Sequence, residues 1–517
     1  MHRPSAIVRH CVALSCLILA LAARVVADDA RAPVVRDVTI LATTDFHGAL
    51  VSGGEERSTN RPWGGAVALA ALLRQERAAH PQRTFLLDGG DEMQGTLESN
   101  LFFGRSAIAV LNAFRVDAAA CGNHEFDWGI DTLRARHREM RYPLLAANVF
   151  EKRTGKRPEW LRPYTIVERD GVRLGIIGFA TPETPRVTMP LNVESLRFDP
   201  PEPLVGKLVA EVRERGADLV VLVAHIGGQQ NRDGKIEGPV AALARAAPGV
   251  AAVVGGHSHS FVNGMVDGVP VVIAGSSARL LGRIVLQWDG RTVRGAQTAL
   301  LRAYSDSLPP TAGDPIAALV DAARVRTRPL AERPLGQAAR LLRRPALANL
   351  VTDAMRSAVH ADVAITNPGG LRRDLQPGPI TVGDVFELMP FDNALVTMRL
   401  RGSELRQVIA SRPEKVLLSG MKGRWDPTLA DSTARLVLQH ADGSPLRPDS
   451  TYVLVTNSFI AQGGDGFTGF EAGRETTVTP ILVRDAITQA VEGATRAGRP
   501  IDPEPDPRFV VPASGRD

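Results

Sequence analysis

A chain of 517 residues is long enough for two or more domains with full cores, and 44% hydrophobic content is ordinary for a globular protein. Its 61 basic and 56 acidic side chains give a formal charge of +5, which drops to +2 once a leader carrying Arg3, Arg9 and Arg24 and no acid is removed. That surplus is too small to argue for nucleic-acid or membrane binding through bulk charge, and beyond the first thirty positions no apolar run reaches the roughly 18 residues needed to span a bilayer.

Residues 1–27 read as a secretory signal. Arg3, Arg9 and His10 form a basic start, Cys11 to Ala23 an apolar core, and Val25-Val26-Ala27 a cleavage context before Asp28-Asp29. Cleavage leaves Cys121 as the remaining cysteine, so no intrachain disulfide is possible. Export without disulfides points to a bacterial periplasm or secretion to the cell surface, with no stable membrane anchor after cleavage.

Residues 34–305 alternate strand-like and helix-like segments, which implies a layered α/β domain. Ala66–Ala79 and Leu204–Arg215 have helical spacing, and Gly282–Trp288 is expected as the last strand. Five apolar runs in this domain end in the same kinds of residue. Val38–Leu41 runs into Asp45 and His47, and Phe85–Leu87 into Asp88-Gly89-Gly90-Asp91. Val116–Cys121 runs into Gly122-Asn123-His124-Glu125-Phe126-Asp127, Leu219–Val223 into His225, and Val253-Val254 into His257 and His259. In an open α/β sheet, ligands sit outside the carboxyl ends of the strands, so these side chains are expected to converge. Seven oxygen and imidazole donors without thiolate suit two zinc or manganese ions rather than one. Two ions sharing a carboxylate typically promote in-line displacement at phosphorus. Asp91, after Gly90, is the candidate bridge, and Asp88 is its rival at the strand end.

Residues 306–335 read as a linker broken at Leu308-Pro309-Pro310 and carrying a bridging helix from Asp314 to Arg328, with Arg333–Ala339 loop-like. Residues 336–505 form a second α/β domain. Helices are expected at Ala348–Met355 and Val382–Glu387, and strands at Val363–Thr366, Ala394–Met398 and Tyr452–Thr456. Residues 506–517 are expected to fray. Phe391, after Met389-Pro390, and Phe467, after Gly463-Gly464-Asp465-Gly466, are aromatics in loop-like contexts, where two rings can sandwich a base or simply anchor the core.

The five blocks resemble those of the calcineurin-like metallophosphoesterases. Gly122-Asn123-His124-Glu125-Phe126-Asp127-Trp128-Gly129 together with Leu87–Thr96 is similar to the 5′-nucleotidase branch, which includes bacterial periplasmic UDP-sugar hydrolases. The resemblance implies a bridging Asp91, one ion held by Asp45, His47, Asp91 and His259, and the other by Asp91, Asn123, His225 and His257. It implies a His124–Asp127 dyad beside water activated by the two ions, with Glu125 as a structural acceptor. In the second domain Asn367-Pro-Gly-Gly-Leu-Arg372, Phe391 and Phe467 look like the nucleoside-binding blocks, with both rings on the base and Asn367 and Arg372 on the nucleotide. One departure is Leu341, where relatives carry a further nucleotide-binding arginine; Arg340, Arg343 and Arg344 are the neighbouring substitutes. The expected activity is phosphate removal from 5′-nucleotides, extending to nucleotide sugars. A 2′,3′-cyclic-nucleotide phosphodiesterase fits less well, because such relatives tend to carry Asn in place of Asp127. A sulfur-oxidation thiohydrolase fits poorly with His124, and a non-catalytic nucleotide-binding surface protein needs neither ligand set nor dyad.

Overall fold

The computed structural model describes residues 35–56, 58–307, 313–429 and 434–512. The signal segment and the Leu308-Pro309-Pro310 break lie outside them. Each of the five apolar runs is a strand, and the first domain is built on two six-stranded sheets. The first sheet runs in the order Val293–Arg302, Leu280–Trp288, Arg36–Thr43, Thr84–Asp88, Ala118–Ala120, Leu144–Leu145. The second runs Phe261–Val266, Val269–Ala274, Ala252–Val254, Leu219–Ala224, Val172–Phe179, Tyr164–Arg169.

Strand period 2 sorts the side chains. Val38, Ile40, Phe85 and Leu87 of the first sheet meet Val221, Val223, Val254 and Val272 of the second in one buried layer. The intervening Leu41, Leu86 and Ala119 turn outward into a core shared with helices Ala66–Ala79 and Arg105–Phe114. Val220, Leu222 and Val253 do the same toward helices Glu202–Glu214 and Pro239–Arg245. Both faces of each central strand are therefore buried, which is why these runs are continuously apolar. Parallel pairing sets the carboxyl ends of Arg36–Thr43, Thr84–Asp88 and Ala118–Ala120 side by side, and likewise those of Leu219–Ala224 and Ala252–Val254.

The second domain carries a five-stranded sheet in the order Leu417–Ser419, Val363–Thr366, Thr451–Asn457, Ala394–Arg401, Arg474–Leu482. Helices Ala346–Ala358 and Val483–Arg496 cover one face and Gly402–Ser411 the other. Three expectations are corrected. Gly282–Trp288 is not the last strand of the first domain. Val293–Arg302 follows it as an antiparallel edge strand, and its many polar residues reflect exposure at that edge. Pro334–Ala338, expected as loop, pairs antiparallel with Gly378–Thr381. The tail from 506 is tied down as far as Val510: Arg508 forms a double ion pair with Asp353, and Phe509–Val510 pairs with Lys422–Trp425.

The bridging helix spans Pro315–Ala331. Asp314 caps it, accepting from the Ile316 amide at 2.9 Å, and also pairs with Arg74 at 2.8 Å. Its Ile316, Val320 and Ala323 lie in the first-domain core, while its other end packs on helix Val382–Leu388 of the second domain. Asp314→Ala should cost about 0.5–2 kcal/mol, the usual worth of an N-cap, read as a lower denaturant midpoint with an unchanged slope.

Candidate active site

The loops after the five strands turn abruptly. Asp45, His47, Asp91, His257 and His259 all have φ between 50° and 69°, a region in which a side chain is strained and which clusters at functional sites. Backbone bonds cross-link the loops and hold them there. The amides of Asp45, His47 and Gly48 donate to the carbonyls of Gly90, Asp91 and Glu92 at 2.9–3.0 Å. Glu125 ties in the third loop, accepting from the amides of Gly122, Asp91 and Glu92 at 2.7–2.9 Å. Gly122 must be glycine, since a Cβ there would collide with Asp91 Oδ1.

All seven expected ligand side chains meet. Donor atoms of Asp45, His47 and His259 form one group and those of Asp91, His225 and His257 another, each within 4.8 Å. Asn123 Oδ1 joins the second group, 3.1 Å from His225 Nε2. Asp91 stands between the groups, with Oδ2 3.1 Å from His225 Nε2 and 3.9 Å from His47 Nε2. Asp88 has its oxygens engaged instead, by the Thr43 hydroxyl and the Gly90 amide.

The donor set suits divalent cations. His47 and His225 donate Nδ1–H to the carbonyls of Gln94 and Gly89 at 2.7 and 2.8 Å. That arrangement aims each Nε2 at the nest, as the outer hydrogen bond of a metal-binding histidine does. His47 Nε2 and His259 Nε2 converge to 2.9 Å. Burial drives His47 down to about 3, so its Nε2 lone pair is available at neutral pH. Burial also pushes the Asp45 carboxyl well above its usual range, with His225 pulling the other way. Burial opposes charge on both Asp91 and His225, yet their mutual attraction wins. Asp91 falls well below the carboxylate range and His225 rises to about 10.

Beside the nest, His124 Nδ1 lies 2.7 Å from Asp127 Oδ2 and its Nε2 3.9 Å from Asp91 Oδ2. Thr188 donates to Asp127 Oδ1 at 2.7 Å. Burial works against a charged His124, but Asp127 and Asp91 outweigh it and raise its pKa.

A cavity of about 440 Å³ joins this nest to the second domain. Asp91, Asn123, His124, Asp127, His257 and His259 line one side; Asn367, Arg372, Phe391, Phe459, Lys415 and Asp465 line the other. The Phe391 ring stacks on His124 with centroids 5.7 Å apart, and the Arg372 guanidinium lies 5.5 Å from the Phe391 ring. Arg372 reaches the nest electrostatically, opposing protonation of His47, His124 and His259. The Pro390 carbonyl accepts from Asn100 of the first domain at 2.9 Å, which seats one domain on the other.

Phe467 is not where a stacking ring belongs. It is 2% exposed, packed in the second-domain core with Leu405, Val408 and Phe470, and does not line the cavity. The turn before it returns the chain inward. The cavity ring is Phe459, which sequence reasoning missed. Asn457 caps the one-turn helix Ser458–Ala461, which sends Ile460 into the core and leaves Phe459 half-buried at the cavity. The signal was an aromatic just past a strand end, outweighed by the glycine-rich run eight residues on. Arg340 and Arg343 pair with Asp502 and Asp374 and do not line the cavity.

Two family models match, calcineurin-like phosphoesterase over residues 38–261 and 5′-nucleotidase, C-terminal domain over 323–472. A 5′-nucleotidase of Vibrio cholerae is 27% identical over 484 residues, covering 83% of this chain and 85% of that one. Endonuclease YhcR of Bacillus subtilis is 27% identical over 424 residues, 77% of this chain, which spans about a third (34%) of YhcR. The crystal structure of a 5′-nucleotidase precursor from Thermus thermophilus superposes with a TM-score of 0.81 at 26% identity, covering 92% of this chain and 99% of that one.

A cation entering the nest competes with the protons that burial and the Asp91–His225 pairing hold on His225 and Asp45, so affinity should rise with pH and binding near neutral pH should release protons. Calorimetry in buffers of different ionisation enthalpy measures this; zinc or manganese binding with no proton release would contradict it.

Proposed function

Because the chain belongs to the 5′-nucleotidase family, a calcineurin-like phosphoesterase domain joined to a 5′-nucleotidase C-terminal domain, and is a metal-dependent phosphoric ester hydrolase, we propose that it is exported and removes phosphate from 5′-nucleotides, with nucleotide sugars taken at the same site. One observation carries the reading. A single cavity is walled on one side by the cation nest and dyad and on the other by the rings Phe391 and Phe459. Phosphate chemistry and base recognition thus face the same space. The apolar leader of residues 1–27 supports export, and among the described residues no helix is long and apolar enough to cross a membrane.

Two divalent cations, when bound by Asp45, His47, Asp91 and His259 and by Asp91, Asn123, His225 and His257, would polarise the phosphoryl oxygens and lower the pKa of water. The chain's own groups do the rest. Arg372 presents its cation to the phosphate. Asp127 accepts from His124 Nδ1–H and, with Asp91, favours the doubly protonated ring, whose Nε2–H would be delivered to the leaving nucleoside oxygen. Thr188 fixes Asp127, and Phe391 fixes the ring from its open face.

Turnover of AMP by the metal-loaded protein tests the proposal, and absence of phosphate release from every nucleotide in a panel with zinc, manganese and cobalt would end it. Asp91→Asn should remove most bound metal and activity, whereas Asp88→Asn should lower stability before metal content; elemental analysis separates the two. His124→Ala should retain metal and slow hydrolysis by roughly 10²–10⁴-fold, the worth of one positioned acid. Loss of metal in that variant would instead make His124 a ligand. Phe459→Ala should lose ~1–3 kcal/mol of kcat/KM for AMP, the worth of a stacked base, and lose less for p-nitrophenyl phosphate. Phe467→Ala should destabilise the fold by ~3–5 kcal/mol as a core truncation, seen as a lower melting temperature.

A further inference from the structure

The cavity holds a second cation besides Arg372, and neither the ligand set nor the dyad uses it. Lys415 closes the turn Pro413–Lys415, just before strand Leu417–Ser419. That strand pairs with Val363–Thr366 in the register Thr366↔Leu417, which sets Lys415 beside the Asn367 loop. Its ammonium is 3.4 Å from Asp465 Oδ1, while Asn367 Nδ2 donates to Asp465 Oδ2 at 2.6 Å. Asp465 holds a strained backbone, φ 55°, in the turn that also carries Gly464. The Phe459 ring lies flat against that glycine, 2.5–2.6 Å from where a Cβ would stand. One face of the Phe459 ring is therefore covered by the turn that carries Asp465, and the ring and the Lys415–Asp465 pair line the same cavity.

An ammonium has three donors and no acceptor. Only one hydrogen-bond partner of Lys415 Nζ, Asp465, is found among the described residues, so donors remain for a ligand. A base carbonyl is the partner that such a donor selects; an exocyclic amino group offers only donors and is repelled. Resting on the nucleotidase reading above, we propose that Lys415 sets base preference by donating to the exocyclic oxygen of an oxo-base, so that 6-oxopurine 5′-monophosphates are taken ahead of adenine nucleotides. It also supplies the second cation of the substrate cavity, the role that Arg340 and Arg343, tied to Asp502 and Asp374, do not fill.

IMP and AMP differ only along the C6–N1 edge, an oxygen and N1–H against an amino group and an N1 acceptor, and so report on the edge that this contact reads. The metal-loaded enzyme is assayed for kcat/KM with both, as wild type, Lys415→Met and Lys415→Arg. Wild type should favour IMP about tenfold or more, the worth of one charge-assisted hydrogen bond. Lys415→Met should bring the two within about twofold, mainly by raising KM for IMP, and Lys415→Arg should restore most of the preference. An IMP/AMP ratio unchanged in Lys415→Met overturns the assignment. So does an equal fall on both nucleotides, which would make Lys415 a support for Asp465 alone. Wild-type enzyme that hydrolyses p-nitrophenyl phosphate but neither nucleotide overturns the nucleotidase reading itself, and the assignment with it.

Discussion

Five carboxylates lie at the meeting point of the two sheets, and none is more than 1% exposed: Asp45, Asp88, Asp91, Glu92 and Glu125. Gathering so many acids out of water is costly unless each is bonded, protonated or paired with a cation. The structure uses all three solutions. Glu125 spends its oxygens on three amides and Asp88 on a hydroxyl and an amide. Glu92 has one oxygen bonded to Tyr142 and the other without a partner among the described residues, and burial among other acids pushes its pKa far upward, which favours the neutral acid. Asp45 accepts from the His257 amide and Asp91 Oδ1 from the His124 amide, but both also face imidazoles, Asp45 Oδ1 3.5 Å from His259 and Asp91 Oδ2 3.1 Å from His225, and those two are the ones that divalent cations would satisfy. The two acids that face imidazoles are thus told from the three that do not.

The same logic explains the strained backbone. In an extended strand, alternate residues share a face but stand about 6–7 Å apart along it. Drawing Asp45 and His47, or His257 and His259, into one compact nest needs the chain to double back, and the positive φ at all four positions does this. The interlocking amide–carbonyl bonds between the Asp45 and Asp91 loops keep that geometry from relaxing. Below, the inter-sheet layer of Val, Ile and Leu side chains fixes where the strand ends lie, so the site inherits its precision from the packed core.

Much of this was legible in the sequence because burial on both faces makes strands conspicuous and because each strand end carried its ligand in one short block. Helix Ala66–Ala79 and strand Val363–Thr366 match expectation residue for residue. What was not legible depends on direction rather than on pattern. Val293–Arg302 is an edge strand with polar exposure on both faces, so it lacks the apolar signature. Phe467 and Phe459 are eight residues apart around one glycine-rich turn. Only the cap at Asn457 and the fold of that turn decide which ring enters the core and which the cavity. Lys415 joins the cavity through strand register, a long-range fact that no local motif records.

The second domain does more than add affinity. Phe391 belongs to it, yet its ring rests on His124 of the first domain, and Asn100 of the first domain donates to the carbonyl of Pro390, the neighbour of Phe391. Arg372, also from the second domain, is the cation whose field reaches three histidines of the nest. In the reading proposed above, the proton donor is therefore packed, and the phosphate clamp completed, when the domains meet as they do here. If they separate to admit a nucleotide, His124 loses its packing partner and the nest loses its nearby arginine. On that proposal, a proton donor assembled in this way is fully positioned only with the domains together, which would couple recognition of the base to the readiness of the acid that releases it.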